Sequence, residues 1–246
     1  VLMTEQEQLQ QAISSLEEQR LILGNSVVDT TVAALQEKLT QLGEISQNHL
    51  AAKTAQRKQV TILFANVTGF ATVAESLPDT NMLDMMNVLW RRLDRAITQQ
   101  DGTIDKHMGE AVMGLFGVPV VHEDDAERAI RAGLQMRAAL SDFVAEIASE
   151  SSAPTNKVIE HLQSLQIRIG INTGPVMLGQ VGSSEEVTVI GDAVNVASRL
   201  EKSAPPGGIL IAHDTYMLVH DRFNVEPLGL VPIRGRSEPI QVYLVL

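Results

Sequence analysis

From residue 60 onward, short β-branched apolar runs alternate with longer segments whose apolar residues recur at helical spacing. Residues 60–65 (VTILFA) have the length and composition of a buried strand. Gly69 follows, and a helix is expected from there to about residue 76. Asp79 or Thr80 is placed to cap a longer helix to about residue 99, with Met82, Met85, Met86, Leu89 and Leu93 turned inward. Residues 103–108 and 111–116 read as two strands joined by a tight turn at Gly109-Glu110. A strong helix is expected over 124–148, capped by Asp124 or Asp125. A flexible stretch over 149–164 follows, with one helical turn near 159–162. Strands are expected at 165–172 and 186–190, then a helix at 192–202 ended by Pro205-Pro206-Gly207-Gly208. Strands at 209–212, 223–230 and 240–246 complete the pattern. This order predicts an α+β fold: a ferredoxin-like βαββαβ core with a mixed sheet, helices on one face and additional strands.

The first 50 residues have a different rhythm. Leu2, Leu9, Leu16 and Leu23 recur every seven positions with Ile13 between them, a short heptad seam. Gly24-Asn25 breaks it, and a second apolar set (Val28, Val32, Leu35, Leu39, Leu42) runs to Gly43. Residues 1–50 are therefore expected to form a helical stalk. It is either a dimerising coiled coil or a helical hairpin packed on its own domain. Residues 51–58 (AAKTAQRK) are polar and basic and read as a linker, which leaves 59–246 for the folded domain.

Composition narrows the function. Hydrophobic residues make up 44% of the 246, enough for a real core, but aromatics are only 3%, so Leu, Val, Ile, Ala and Met must build it. The net charge of −11 argues against non-specific binding to nucleic acid or to an anionic membrane. A few local Arg and Lys residues can still hold a nucleotide. There is no cysteine, which excludes disulfides, thiolate zinc sites and cysteine nucleophiles and suits a reducing, cytoplasmic setting. No apolar run approaches the roughly 18–20 residues of a membrane span. The chain opens on Val1 with no signal peptide, and it is expected to be a fragment.

Several residues stand out as carriers of chemistry. VTILFANVTGF runs from a strand through Gly69 into a helix, a turn whose backbone N–H groups suit phosphate, although most such turns bind nothing. Glu110, on the tip after Gly109, can face a metal or simply water. Arg168 lies inside an apolar strand and needs an anionic partner, either a carboxylate or a ligand. Asn195 and Arg199 are four residues apart, on one helix face. The six histidines show no paired ligand spacing and read as structural. Trp90 reads as core or interface packing.

Together the segments FANVTGF, GTIDKHMGEAVMGLFG, HEDDAERAIRA, IRIGINTGPV, VIGDAVNVASRLE, PPGGILI and IRGRSEP resemble the catalytic domain of class III adenylate/guanylate cyclases. The likeness runs from about Val60 to Leu246. It implies antiparallel dimers with active sites shared between two chains. It also implies a reaction in which the ribose 3′-oxygen attacks the α-phosphorus of a nucleoside triphosphate, assisted by two metal ions, and pyrophosphate leaves. By the same resemblance, Lys106 and Thr188 would read the base, in a combination that suits adenine and hence ATP. Asn195 would position the ribose, and Arg199 would stabilise charge on the α-phosphate. Arg168 and Arg234 would contact phosphate, Arg234 in place of the family's lysine. The backbone at Val67, Gly69 and Phe70 would line the metal and phosphate site.

Two positions depart from the family. Its metal ligands are both Asp, and here they are Asn66 and Glu110. Asn66 removes a full negative charge where Mg²⁺ or Mn²⁺ should sit. Glu110 keeps the charge but is one methylene longer, displacing its oxygens by about 1–1.5 Å, and a misplacement near 1 Å can cost on the order of 10²-fold in rate. Three roles are open: a weak homodimeric adenylate cyclase, a half-site completed in a heterodimer by a metal-competent cyclase chain, or a non-catalytic nucleotide-binding or dimerisation module.

Overall fold

The computed structural model describes residues 56–74, 79–149, 156–180, 187–232 and 238–246, with scattered positions before residue 56. The chain divides into two compact units. One comprises Val1–Gln56 and Gly179–Val187, the other Arg57–Leu178 and Thr188–Leu246. In the first, the described positions between 12 and 38 are helical, and Val28 and Val32 are buried. The heptad leucines Leu2, Leu9, Leu16 and Leu23 lie outside the described residues, as do Leu39, Leu42 and positions 51–55 of the expected linker.

The second unit carries the sheet. Its strands are β1 (Gln56–Thr68), β2 (Thr103–Met108), β3 (Ala111–Phe116), β4 (Gln166–Gln180), β5 (Val187–Ile190), β6 (Ile209–Ala212), β7 (Val225–Val231) and β8 (Ile240–Val245). Their order is β2-β3-β1-β4-β6-β8-β7, with β5 paired to β4. β3 runs antiparallel to β1 and β2, β4 and β6 run parallel, and β8 runs antiparallel to β6 and β7. The sheet is therefore mixed, and its first four positions have the βαββαβ order expected. The helices are α1 (Phe70–Ala74), α2 (Asp79–Thr98), α3 (Asp125–Ser149), α4 (Asn156–Gln163), α5 (Asp192–Ser203) and α6 (His213–Val219).

Strand alternation sorts β1 between two cores. Leu63, Ala65 and Val67 meet Leu89, Leu93 and Ile97 of α2, Ile130 and Met136 of α3, and Ile167, Ile169 and Ile171 of β4. Val60, Ile62 and Phe64 face the other way and pack with Met113, Leu115, Val176 and Val189, and with Ala193 and Ala197 of α5. The expectation of helices on one face thus holds for α2 and α3, while α5 covers the other. Asp125 opens α3 by accepting the His122 backbone N–H at 2.9 Å.

Three further differences have physical causes. β1 begins at Gln56 rather than after the expected linker, because backbone groups make the ladder and exposed Arg57 can extend it. α4 is a two-turn helix where one turn was expected. α6 fills a stretch left without structure by the sequence reading.

Among the described glycines, the tightest approach is at Gly170, where α5 meets β4. A Cβ on Gly170 would sit 2.1 Å from the Glu201 amide nitrogen and 2.3 Å from the Ala197 carbonyl oxygen. Both obstacles are backbone and cannot turn aside. Gly170→Ala is expected to destabilise the domain by about 3 kcal/mol through overpacking. Urea denaturation checks this, and an unchanged midpoint would show a looser seat than the one described.

Candidate active site

Asn66 stands near the end of β1, paired across β3 with Ala111. The next residue, Val67, donates its N–H to the Glu110 carbonyl at 2.9 Å. Gly109 supports this tip with φ +64, a conformation that favours glycine. Backbone pairing alone therefore brings Glu110 beside Asn66.

On the opposite side of β1, Thr61 Oγ1 meets Thr173 Oγ1 at 2.9 Å and Thr68 Oγ1 donates to the Gln166 carbonyl at 3.3 Å. The two contacts run the strands antiparallel, and seven steps on β1 (61 to 68) match seven on β4 (173 to 166). Asn66 and Arg168 are thus cross-strand neighbours. Each carries a buried polar atom with no hydrogen-bond partner, Oδ1 of Asn66 and Nε of Arg168. An unpaired buried group costs roughly 1–3 kcal/mol, so this corner gains from any polar ligand. Gly69 turns the chain into α1 at φ +103, and a Cβ there would come 3.0 Å from the Ser164 carbonyl oxygen. The Phe70 side chain is in the main core, which leaves its backbone for a ligand.

A second group forms on β2 and β5. Lys106 Nζ donates to Thr188 Oγ1 at 3.1 Å, so the structure joins the two residues singled out as base readers. Sequence reasoning missed their third member. Asp105 Oδ2 accepts the Thr188 hydroxyl at 3.0 Å and lies 3.2 Å from Lys106 Nζ. Regular alternation would send neighbours 105 and 106 to opposite faces. β2 is irregular between Ile104 and Lys106, and that bulge lets both side chains reach Thr188. The acid beside the lysine in IDK was the only signal, and it does not announce a bulge.

The third group is on α5. Asn195 is exposed and Arg199 half-buried, one turn apart. Among the described residues no hydrogen bond or ion pair links the three groups. Arg234 lies outside the described residues. A separate hollow of about 400 Å³ lies near the start of α5, lined by Asn172, Asp192, Val196, His213 and Gln241 among others. None of the expected site residues lines it. Glu201, also missed, is buried on α5. Burial pushes its carboxyl above the usual range, against the opposing pull of Lys202 and Arg168.

The corner at Asn66 can be tested as a cation site. Oδ1 of Asn66 is a buried oxygen donor with no partner, and the backbone of Glu110 lies next to it in the chain pairing, bonded to Val67. Oxygen donors of this kind suit a hard divalent ion. Among the described residues no cluster of three His, Cys, Asp or Glu side chains forms such a site.

The chain matches the Adenylate and Guanylate cyclase catalytic domain family over residues 52–246, and it belongs to that family. It is 29% identical over 206 residues to Adenylate cyclase 1 of Rhizobium meliloti, covering 82% of this chain and 30% of that protein. It is 31% identical over 196 residues to an adenylate cyclase of Anabaena cylindrica, covering 77% of this chain and 37% of that one. The chain thus spans about a third of the length of these relatives. The structure resembles the adenylyl cyclase CyaB from P. aeruginosa with a TM-score of 0.71 at 33% identity, over 78% of this chain and 95% of that one. It resembles the guanylyl cyclase Cya2 with a TM-score of 0.68 at 31% identity, over 78% and 93%. Among the described residues no helix is long and apolar enough to cross a membrane.

The buried Glu201 makes stability depend on pH. A carboxyl raised by folding contributes stability below its unfolded pKa and loses it as pH rises through the folded value. Glu201→Gln removes that loss. The variant is expected to melt about 2–4 °C above the wild type at pH 8, the shift that roughly 1 kcal/mol gives in a domain of this size. The gap should close toward pH 4 in thermal melts followed by circular dichroism. A variant that melts lower at pH 8 would show that attraction to Arg168 outweighs burial.

Proposed function

We propose that this cyclase domain binds ATP and converts it to 3′,5′-cyclic AMP and pyrophosphate, slowly when it acts alone. The observation that carries the adenine reading is the contact between Lys106 Nζ and Thr188 Oγ1 at 3.1 Å. An ammonium donor beside a hydroxyl acceptor complements adenine N1 and its exocyclic amine. Asn195 would position the ribose. Arg199 would face the charge that grows on the α-phosphate. Arg168, Arg234 and the backbone at Gly69 and Phe70 would hold the phosphates. Asn66, the Val67 backbone and Glu110 would hold Mg²⁺ or Mn²⁺. Such an ion, when bound, lowers the pKa of the ribose hydroxyl and neutralises phosphate charge. In the family arrangement two copies of the chain would share the sites.

The neutral, unpartnered Asn66 side chain favours a second reading. Here the domain supplies base-reading and α-phosphate residues to a metal-competent cyclase chain, in a heterodimer whose partner supplies the two Asp ligands.

Cyclic AMP formation from ATP, first with Mn²⁺ and then with Mg²⁺, tests both readings. The parent is compared with an Asn66→Asp, Glu110→Asp double variant. The expected result is slow product from the parent with Mn²⁺ and a rate on the order of 10²-fold higher from the variant. A silent parent beside an active variant supports the half-site reading. In that case, mixing the parent with a metal-competent chain whose own transition-state arginine is disabled should restore product. Silence from both variants would sink the adenylate cyclase reading.

A further inference from the structure

Asp105 lies on the bulge of β2 with 2% of its side chain exposed, beside a lysine that is 44% exposed. A carboxylate this enclosed needs partners. It has the Thr188 hydroxyl at 3.0 Å and the Lys106 ammonium at 3.2 Å. Lys106 in turn donates to Thr188 Oγ1 at 3.1 Å, which closes a triangle.

The direction of each hydrogen bond follows from the donor inventory. A lysine ammonium only donates, an ionised carboxylate only accepts, and a threonine hydroxyl has one hydrogen and two lone pairs. Asp105 takes the Thr188 hydrogen. Lys106 takes one Thr188 lone pair. The second lone pair is what Thr188 has left, so toward a ligand it can only accept. With one ammonium hydrogen toward Thr188 and one toward Asp105, the remaining one can only donate to a ligand.

We propose that Asp105 is a positioning residue that selects adenine over guanine by fixing the polarity of Thr188. This rests on the adenine reading above. Adenine presents an acceptor at N1 and a donor amine at C6, which match Lys106 and the polarised Thr188. In the same pose guanine presents a hydrogen at N1 and an oxygen at C6, and both contacts become repulsive. Without Asp105 the Thr188 hydroxyl turns freely and can donate to that oxygen. The selectivity therefore belongs to the buried acid as much as to the two residues that would touch the base.

Calorimetry on the full chain with Mn²⁺ and the α,β-methylene analogues of ATP and GTP tests this independently of turnover. The wild type is expected to prefer the ATP analogue. In Asp105→Ala the ratio of the two affinities should fall about tenfold, the worth of one polar match. In a Thr188→Val background the same substitution should leave the ratio unchanged, because Asp105 acts through that hydroxyl. Equal weakening of both nucleotides, or an unchanged ratio, would show Asp105 to be a structural brace and overturn the proposal while the adenine reading stands. A wild type that binds neither nucleotide, or shows no ATP preference, sinks the adenine reading and this inference with it. If Asp105→Ala does not fold, the wild type decides the matter with purine riboside triphosphate, which lacks the exocyclic amine. It should bind about tenfold more weakly than ATP, and equal binding would overturn the role of Thr188 as acceptor.

Discussion

The seat of α5 on β4 holds the candidate site in place. Gly170 and Gly174 share one face of β4, and neither has room for a side chain: a Cβ on Gly174 would come 2.9 Å from the Ala193 Cβ. Between them Asn172 donates its Nδ2 hydrogen to the Ala193 carbonyl at 3.1 Å. Helix and strand therefore meet almost backbone to backbone, at a depth set by hard contacts rather than by adjustable side chains. That seat determines where Asn195 and Arg199 project and brings Glu201 close to Arg168. In the proposed role of Arg199, facing a developing charge, such a mount would serve it, since tolerances near 1 Å matter.

Around this seat the site is electrostatically lopsided. The group on β2 and β5 carries a full complement: an acid, an ammonium and a hydroxyl, each with a partner. The corner at Asn66 has a neutral oxygen and a guanidinium nitrogen, both buried and unpartnered, with the backbone of Glu110 paired next to it. A divalent ion would meet one negative charge there and a neighbouring positive one. On the proposed reading cation binding there would be weak and an anion such as phosphate favoured, because charge interactions are stronger in a partly buried setting than in water.

Much of this architecture was legible in the sequence because burial follows period. β2, β3 and β6 fall where alternation and turn residues put them, and the apolar positions of α2 enter the core as expected. The family motifs went further, pairing Lys106 with Thr188 across 82 residues. Other features left little local trace. α6 is seven residues long and its N-terminal Ala212 offers no side-chain cap, so nothing announces its start. β4 continues through Gly174-Pro175 to Gln180, although a Gly-Pro pair ordinarily ends a strand. The amphipathic pattern of α5 shows that one side is buried but not which face of the sheet it covers. The partnership of Asp105 with Lys106 depends on a bulge, a one-residue irregularity that composition cannot reveal. Glu201 reads as an ordinary charged residue near a helix end, and only the depth of the seat at Gly170 explains its burial.

On the proposed roles, the β2–β3 hairpin would carry both halves of the chemistry at separate points. Asp105 and Lys106 lie in the strand and Glu110 at the tip, so Lys106 and Glu110 are four positions apart. The last residues of β2 and the turn at Gly109 lie between them. Among the described residues no hydrogen bond or ion pair joins the tip to the triangle of Asp105, Lys106 and Thr188. The triangle is also braced from within by a buried carboxylate, while the tip is held by a backbone hydrogen bond indifferent to the side chain at 110. On the proposed roles, the corner at Asn66 would lose ligand strength while nucleotide recognition stays whole. Substitutions confined to residues 66 and 110 would then change turnover without changing which nucleotide is bound.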